Sequence, residues 1–374
     1  MSGTGRLRLL MTVDAVGGVW TYALDLAAGL AGHGVGTVLA VMGPAPAPDQ
    51  AAAALRVPRL RLVETGLPLE WLAESPAEVV AAGHALARLA EETGADILHL
   101  NAPGPAAGAA FSMPVLIACH SCLATWWRAV RTGPMPADFT WRTELVARAY
   151  RKADCLVAPS AAFAAATRAA YGLAAPPMVV RNGRRAAGSA GTPQARPVAF
   201  TAGRLWDDGK DAATLDRAAA LLPFPVVAAG PVEGPNGARA ALAHLRLLGR
   251  LPEAEVAGYL AARPIFASAA RYEPFGLTVL EAAQAGCALV LADTPVFREL
   301  WEGVAQFAPV GDAQAFAEAM RGLAEDGERR AALGVAAQER ARRYGIGAQV
   351  DAMLAAYRGL LRGMAGGTGR GVAA

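Results

Sequence analysis

Arg204 and Lys210 stand six residues apart in "AGRLWDDGKD" (202–211), and Glu273 and Glu281 eight apart in "RYEPFGLTVLEAAQAG" (271–286). A guanidinium fork and an ammonium at that spacing across a loop can converge on one phosphate. Read alone, they are equally two solvated surface cations. Glu273 precedes a proline, which biases it to extended backbone and so to a loop. Phe275, Gly276 and Leu277 then offer the unpaired N–H groups of a helix start, and Glu281 follows about a turn and a half into that helix. A carboxylate on each side of an anion-binding helix start could hold a phosphorylated sugar from several directions. The plainer reading is two acids that suit a helix N-terminus.

Two other stretches carry possible chemistry. In "DAVGGVW" (14–20), Gly17 and Gly18 remove the Cβ atoms that would block a ligand, and the helix start behind them suits an anion. An ordinary β-to-α turn has the same look. "CHSC" (119–122) reads as a zinc knuckle, a redox Cys-x-x-Cys, or a strand-end His120 flanked by two small packing residues. Zinc wants four tetrahedral ligands, but His33, His84, His99 and His244 are scattered and no second Cys/His pair has knuckle spacing. A redox pair needs a helix start to lower a thiol pKa, which the sequence leaves open.

All these stretches fall where a strand hands over to a helix. β-type runs at 7–13, 36–42, 60–66, 97–100, 114–120, 155–160 and 178–183 alternate with helical patterns such as 21–32 and 76–94. After "RRAAGSAGTPQARP" (184–197), rich in Gly, Pro, Ser and Arg, the alternation restarts. Its runs are 198–203, 225–230, 245–249, 264–270, 288–293 and 304–309, and three helical patterns follow to about 362. The runs are apolar throughout rather than alternating, as parallel strands covered on both faces require. The class is therefore α/β with two similar halves, and in such sheets ligands bind outside the carboxyl ends of the strands. The glycine-rich end "GMAGGTGRGVAA" has no strand before it and no helix after it, so it reads as a frayed terminus rather than a phosphate loop.

The 374 residues suit two domains. Although 54% of them are hydrophobic, the apolar runs stop well short of a membrane span, and the N-terminus passes straight into a β-type run without a leader-like segment. Cytoplasmic placement is the expectation. Four cysteines in apolar surroundings fit reduced thiols better than a disulfide framework. A net charge of +3 and a pI near 8.8 give no nucleic-acid footprint. One basic, aromatic segment stands out: 126–152 holds Trp126, Trp127 and Trp141 among six basic and two acidic residues. It is a candidate acceptor wall or peripheral contact with the inner membrane face, against the plainer reading of a loop and amphipathic helix with snorkelling cations.

"EPFGLTVLE" resembles the E-x7-E motif of retaining GT-B glycosyltransferases, in particular the glycosyltransferase family 4 group with its glycosyl transferases group 1 domain. "GGVWTYALDLAAGLAGHG" resembles that group's N-terminal glycine loop, "GRLWDDGKD" its Arg/Lys phosphate loop, and "CLVAPS" and "VVRNG" its strand-end Ser and its Asn-Gly turn. The resemblance spans about residues 7 to 362. It implies two Rossmann-like, doubly wound parallel-sheet domains facing a central cleft: an acceptor-side domain over 1–183, a linker over 184–197 and a nucleotide-sugar domain over 198–345. Residues 346–374 would be a C-terminal helix, a candidate to pack back on the N-terminal domain, and a flexible tail.

The roles the resemblance implies follow residue by residue. Glu281 would hold the ribose hydroxyls and Glu273 a donor-sugar hydroxyl. Arg204 and Lys210 would neutralise the leaving diphosphate, helped by the N–H groups at Phe275, Gly276 and Leu277. Gly17 and Gly18 would let the N-terminal loop close over it, and His120 would approach the anomeric centre. No metal or other cofactor is then needed, because fixed cations and helix dipoles can stabilise the charge growing on the leaving oxygen. Retention often signals a carboxylate nucleophile, but here the implied path is front-face attack with a donor phosphate oxygen taking the acceptor's proton, so Glu273 positions. The acceptor, whether glycan, lipid or small molecule, is open. The sequence departs from the pattern at Asp211, where the group has Gly, and at "VVRNGRR", which adds arginines. Three other readings compete: a nucleotide-sugar 2-epimerase of the same fold, a Cys-x-x-Cys redox or zinc protein, and a binding protein that has lost activity.

Overall fold

The computed structural model describes residues 7–185, 199–235 and 237–366. Most of the expected 184–197 linker and the glycine-rich tail from 367 onward lie outside the described residues. The first half runs β1 (Arg8–Asp14), α1 (Gly18–Ala31), β2 (Gly36–Met42), α2 (Pro48–Leu55), β3 (Leu60–Glu64), α3 (Pro76–Thr93), β4 (Ile97–Leu100) and β5 (Val115–Ala118). It continues with α4 (Leu123–Val130), α5 (Ala137–Lys152), β6 (Cys155–Ala158), α6 (Ala161–Tyr171) and β7 (Met178–Val179). The second half runs β8 (Ala199–Ala202), α7 (Ala212–Ala219), β9 (Val226–Ala229), β10 (Arg246–Leu247), α8 (Glu253–Ala261), β11 (Ile265–Ser268) and α9 (Leu277–Gln284). It closes with β12 (Leu289–Ala292), α10 (Pro295–Trp301), β13 (Ala305–Ala308), α11 (Ala313–Glu325), α12 (Gly327–Ala341) and α13 (Ile346–Gly366).

The chain divides into two compact units. Met1–Thr125, Gly133–Gly183 and Ile346–Ala374 form the first; Trp126–Thr132 and Arg184–Gly345 form the second. The segment 126–152, read from the sequence as a loop and one helix, is two helices, and Trp126–Thr132 groups with the second unit rather than the first.

Unit 1 is built on a parallel sheet of seven strands in the order β3-β2-β1-β4-β5-β6-β7. Central β1 buries Leu9, Leu10, Met11 and Val13, so successive residues pointing to opposite faces are all covered. On α1, Trp20, Ala23, Leu26, Ala27 and Leu30 recur at helical spacing and form the buried stripe. On α13, Val350, Met353, Leu354 and Tyr357 do the same and join the same core. The two helices meet closely at Gly29, where a Cβ would stand 2.4 Å from Val350 Cγ2. Any larger residue there would force α1 and α13 apart.

Unit 2 has six parallel strands in the order β10-β9-β8-β11-β12-β13, with Phe200, Phe266, Phe297 and Trp301 fully buried in its core. Both sheets run outward from their first strand in both directions, so each is doubly wound. The strand order therefore reverses between β1 and β4 in one unit and between β8 and β11 in the other, which is where such sheets open a crevice for a ligand.

Candidate active site

In unit 2 the crevice is flanked by the loops that follow β8 and β11. The first carries Arg204 and Lys210, the second Glu273, Phe275, Gly276 and Leu277. Lys210 Nζ forms an ion pair with Glu273, joining the two loops across the switch point. Arg204 donates from Nη2 to Asp207 Oδ2 at 2.8 Å and lies over the Trp206 ring. Its buried Nε–H has no acceptor among the described residues. Asp207 also accepts from the Gly209 N–H at 2.9 Å. Burial would raise its pKa, but the fields of Arg204 and Lys210 and these hydrogen bonds hold it below the ordinary range. Asp207 is thus the hub that spaces the two cations, and within unit 2 the Trp126 indole N–H reaches it as well, at 3.3 Å.

Glycine does not follow Lys210, and the structure shows why the loop closes all the same. Asp211 adopts φ +49°, a left-handed conformation that costs most residues strain. Its carboxylate offsets that cost by accepting from the Thr214 N–H and hydroxyl, which caps α7, and by pairing with Arg271 at 2.7 Å. Gly276 supplies the other left-handed residue, φ +90°, at the start of α9. A Cβ there would meet Phe297, Val279 and Glu273 at 3.2–3.4 Å, so glycine suits both the angle and the space. Phe275 is buried and stacks edge-on with Tyr344, fixing the approach to the helix. The Phe275 N–H lies 3.5 Å from Glu273 Oε1.

Glu281, on α9, accepts from Arg184 Nε at 2.8 Å. The same guanidinium pairs through Nη2 with Glu253 at the start of α8. Arg184 is one of the extra arginines of "VVRNGRR"; in the structure it serves the carboxylate of the E-x7-E motif.

In unit 1, Gly17 caps α1 in extended backbone and exposed Gly18 opens the helix. His120 follows β5, and its Nε2 lies 2.7 Å from Asn101 Oδ1. Asn101 follows β4, and its amide is fixed from β1: Nδ2–H donates to the Thr12 carbonyl at 2.6 Å and its backbone N–H to the Thr12 hydroxyl at 2.9 Å. Because a carbonyl only accepts, Asn101 must present its oxygen to His120. His120 then carries its proton on Nε2, leaving Nδ1 bare. The ring packs edge-on against Tyr22, 4.4 Å between centroids. This burial pulls its pKa down to about 4, so it is neutral at pH 7.

The cysteines beside it are inert. Neither Cys119 nor Cys122 is in a disulfide; both are buried, and burial pushes the Cys119 thiol up to about 12 and Cys122 upward as well. Although Cys122 immediately precedes α4, desolvation outweighs the helix start, so neither is the low-pKa thiol a redox pair needs. Among the described residues no group of three or more His, Cys, Asp or Glu side chains could hold a metal ion, and no helix is long and apolar enough to cross a membrane.

The sequence profile of Glycosyltransferase Family 4 matches residues 16–186, and that of Glycosyl transferases group 1 matches residues 224–340. The two profiles together take in most of the chain, which is glycosyltransferase family 4-like. A phosphatidyl-myo-inositol mannosyltransferase of Mycolicibacterium smegmatis is 38% identical over 104 residues, which is 27% of this chain and 27% of that relative. The chain thus spans about a quarter of the curated relative it matches. Sucrose-phosphate synthase from Thermosynechococcus elongatus superposes with a TM-score of 0.78 at 18% identity, covering 96% of this chain and all of that one. Anabaena HepE in complex with UDP-glucose superposes at 0.72 and 21% identity, covering 94% of this chain and all of that one. These likenesses show the fold, the GT-B arrangement of two parallel-sheet Rossmann-like units.

Within this family 4-like chain, the structure brings Lys210, Glu273 and the start of α9 together and holds Arg204 beside them through Asp207. Sequence reasoning passed over three residues that order the site: Asp207, Asn101 and Arg184. Asp207 stood inside a quoted motif and Asn101 directly followed the "ILHL" strand, so position was a usable signal for both. In 126–152, basic side chains are already engaged: Arg131 pairs with Asp208 within unit 2, and Arg142 donates to the carbonyls of Glu70, Ala73 and Asp138.

Proposed function

We propose that the chain transfers a sugar from a nucleoside-diphosphate sugar to an acceptor hydroxyl with retention of configuration and without a metal ion. The observation that carries this reading is the charge arrangement at the β8/β11 switch point. Two cations and a helix start face one crevice there, and each cation is paired with a carboxylate, Arg204 with Asp207 and Lys210 with Glu273.

A diphosphate oxygen meets the accessible part of the Arg204 guanidinium, whose side chain is 39% exposed. Arg204 and Lys210 then stabilise the negative charge that grows on the leaving oxygen as the glycosyl bond breaks, more in the transition state than before it. Lys210 has three N–H donors and uses one on Glu273, so it can hold that carboxylate for a sugar hydroxyl while still facing phosphate. Glu281 takes the ribose hydroxyls. His120, neutral with a bare Nδ1, positions the reacting groups without adding a second cation to a centre already becoming positive. Gly17 and Gly18 admit the donor close to the start of α1. The proton of the acceptor hydroxyl passes to a donor phosphate oxygen, and Glu273 remains a positioning group.

The relative solved with UDP-glucose makes UDP-sugars the first donors to try, and the mannosyltransferase relative makes a lipid-linked acceptor worth including beside soluble glycans. The working placement is cytoplasmic, with 126–152 a peripheral membrane contact only if vesicles bind. The deciding experiment is a thermal-shift screen of UDP, GDP and ADP and their sugars, with and without EDTA. A nucleotide at 100 times its Kd raises stability by about 2.7 kcal/mol, and Glu281→Ala is expected to remove that shift. No shift from any nucleotide sugar, or a shift abolished by EDTA, overturns the reading. Isomerised donor in the absence of acceptor would favour the epimerase instead.

A further inference from the structure

Arg184 is buried, a state arginine rarely adopts unless its charge is fully employed. Its main chain is tied on both sides before the side chain begins: the N–H donates to the Tyr344 carbonyl at 3.2 Å, and the carbonyl accepts from Gln284 Nε2 at 3.1 Å. From that anchored start the guanidinium reaches two carboxylates on different helices, Glu281 of α9 through Nε and Glu253 of α8 through Nη2. Glu253 is largely exposed, whereas Glu281 is not. The geometry points to Arg184 as the positioning residue for Glu281, and thereby as a determinant of selectivity for ribose over deoxyribose nucleotides.

The inference rests on the reading of Glu281 as the ribose-holding carboxylate and adds the group that makes it competent. A carboxylate accepts from a vicinal diol only when it is ionised and held in one rotamer. A fixed guanidinium on Oε1 holds that rotamer, and it cuts the ordering cost that the ligand would otherwise bear. Arg184 also opens the second unit immediately after Gly183, so the residue that organises the nucleotide end of the site stands at the boundary in the chain.

The test pairs a change in the protein with a change in the ligand. Calorimetry measures Kd for whichever of UDP, GDP or ADP binds best and for its 2′,3′-dideoxy counterpart, on the full chain carrying Arg184→Gln, Arg184→Lys, Glu281→Gln or Glu253→Gln. Arg184→Gln is expected to weaken the ribonucleotide about tenfold and to leave the dideoxy ligand within about twofold, so that the ratio of the two affinities collapses. Arg184→Lys keeps the charge but cannot fork to both carboxylates, and reads the same ratio if the glutamine variant does not fold. Glu253→Gln should leave the ratio at the wild-type value. Equal weakening of both ligands by the Arg184 variants would mean that Arg184 serves only the fold, and overturns the inference. A ratio lost in Glu281→Gln but kept in both Arg184 variants also overturns it, while leaving the role of Glu281 intact. A ratio unchanged in Glu281→Gln overturns the ribose reading and this inference with it.

Discussion

The two sheets share one winding and differ in what they present at the point where it reverses. At the β8/β11 crevice the strand-end loops carry charges in pairs, Arg204 with Asp207, Lys210 with Glu273 and Arg271 with Asp211. Near the β1/β4 crevice one carboxylate, Asp14, accepts from the Val16 N–H in the turn after β1, and the groups around His120 are uncharged: the Thr12 hydroxyl and carbonyl, the Asn101 amide and a neutral His120 ring against Tyr22. Topology fixes where a ligand can lie, and side-chain types at a few strand ends then decide between an anion and a hydroxyl-bearing partner. On the proposed function, the same backbone plan does two different jobs within one chain.

The largest expected effect comes from discharging the ionic end. Lys210→Met removes a cation from the leaving group and frees Glu273 to repel it, and kcat/KM should fall about 10²–10³-fold in a steady-state transfer assay. If that variant kept wild-type turnover and diphosphate affinity, the contrast between the units would be broken at its charged side.

A smaller loss is expected at the neutral end. His120→Ala should lower kcat by about 10²-fold while nucleotide affinity, measured by calorimetry, changes little. Cys122→Ser, next to α4 and remote from ionisation, should retain transfer. A Cys122→Ser variant as impaired as His120→Ala would return the "CHSC" stretch to a thiol-based reading.

The smallest effect sharpens the comparison through pH. Burial lowers the His120 pKa to about 4 and the His99 pKa to about 3. The unfolded chain takes up these protons below about pH 6.5, but the folded unit does so only at those lower values. Stability conferred by the neutral imidazoles is therefore full above pH 6.5 and is lost progressively as pH falls toward 4 and then 3. Glu70 works in the opposite sense: burial raises it to about 7, so its contribution is present in acid and fades as pH rises through that value. Replacing His99 by Gln should flatten the acid-side slope by about 1.4 kcal/mol per pH unit. Hydrogen exchange in β4 and β5 between pH 5 and 6 reads unit 1 by itself, and an unchanged slope would mean that His99 is not buried as a neutral ring.

Much of this architecture was legible because its signals are local. Uninterrupted apolar runs of strand length announced buried parallel strands, and 36–42 and 97–100 coincide with β2 and β4 residue for residue. The run 7–13 sits one residue early on β1, and the remaining runs overshot by a few residues, since an apolar side chain just past a strand can be buried without joining the ladder, as Ala269 and Ala270 are beyond β11. Of the candidate site, the ionisable residues near glycine and proline punctuation were legible in the sequence. Asp207, Asn101 and Arg184 were not, because each acts on a partner that the fold supplies rather than the neighbouring sequence. Asn101 reaches back 89 positions to Thr12, and Arg184 reaches forward 97 to Glu281. Helices α2 and α10 were missed for another reason: at eight and seven residues they are too short to establish a period.

The docking of α13 against α1 has a consequence for how the protein is made. Val350, Met353, Leu354 and Tyr357 complete the core of the unit whose first strand begins at Arg8, and the Tyr357 hydroxyl bonds His99 Nδ1 at 2.6 Å inside it. On a ribosome, residues 8 to 183 emerge long before that helix, and the apolar face of α1 waits uncovered while the whole second unit is synthesised and folds. The unit that starts first is therefore finished last, and the chain is most open to chaperones, proteases and self-association during that interval.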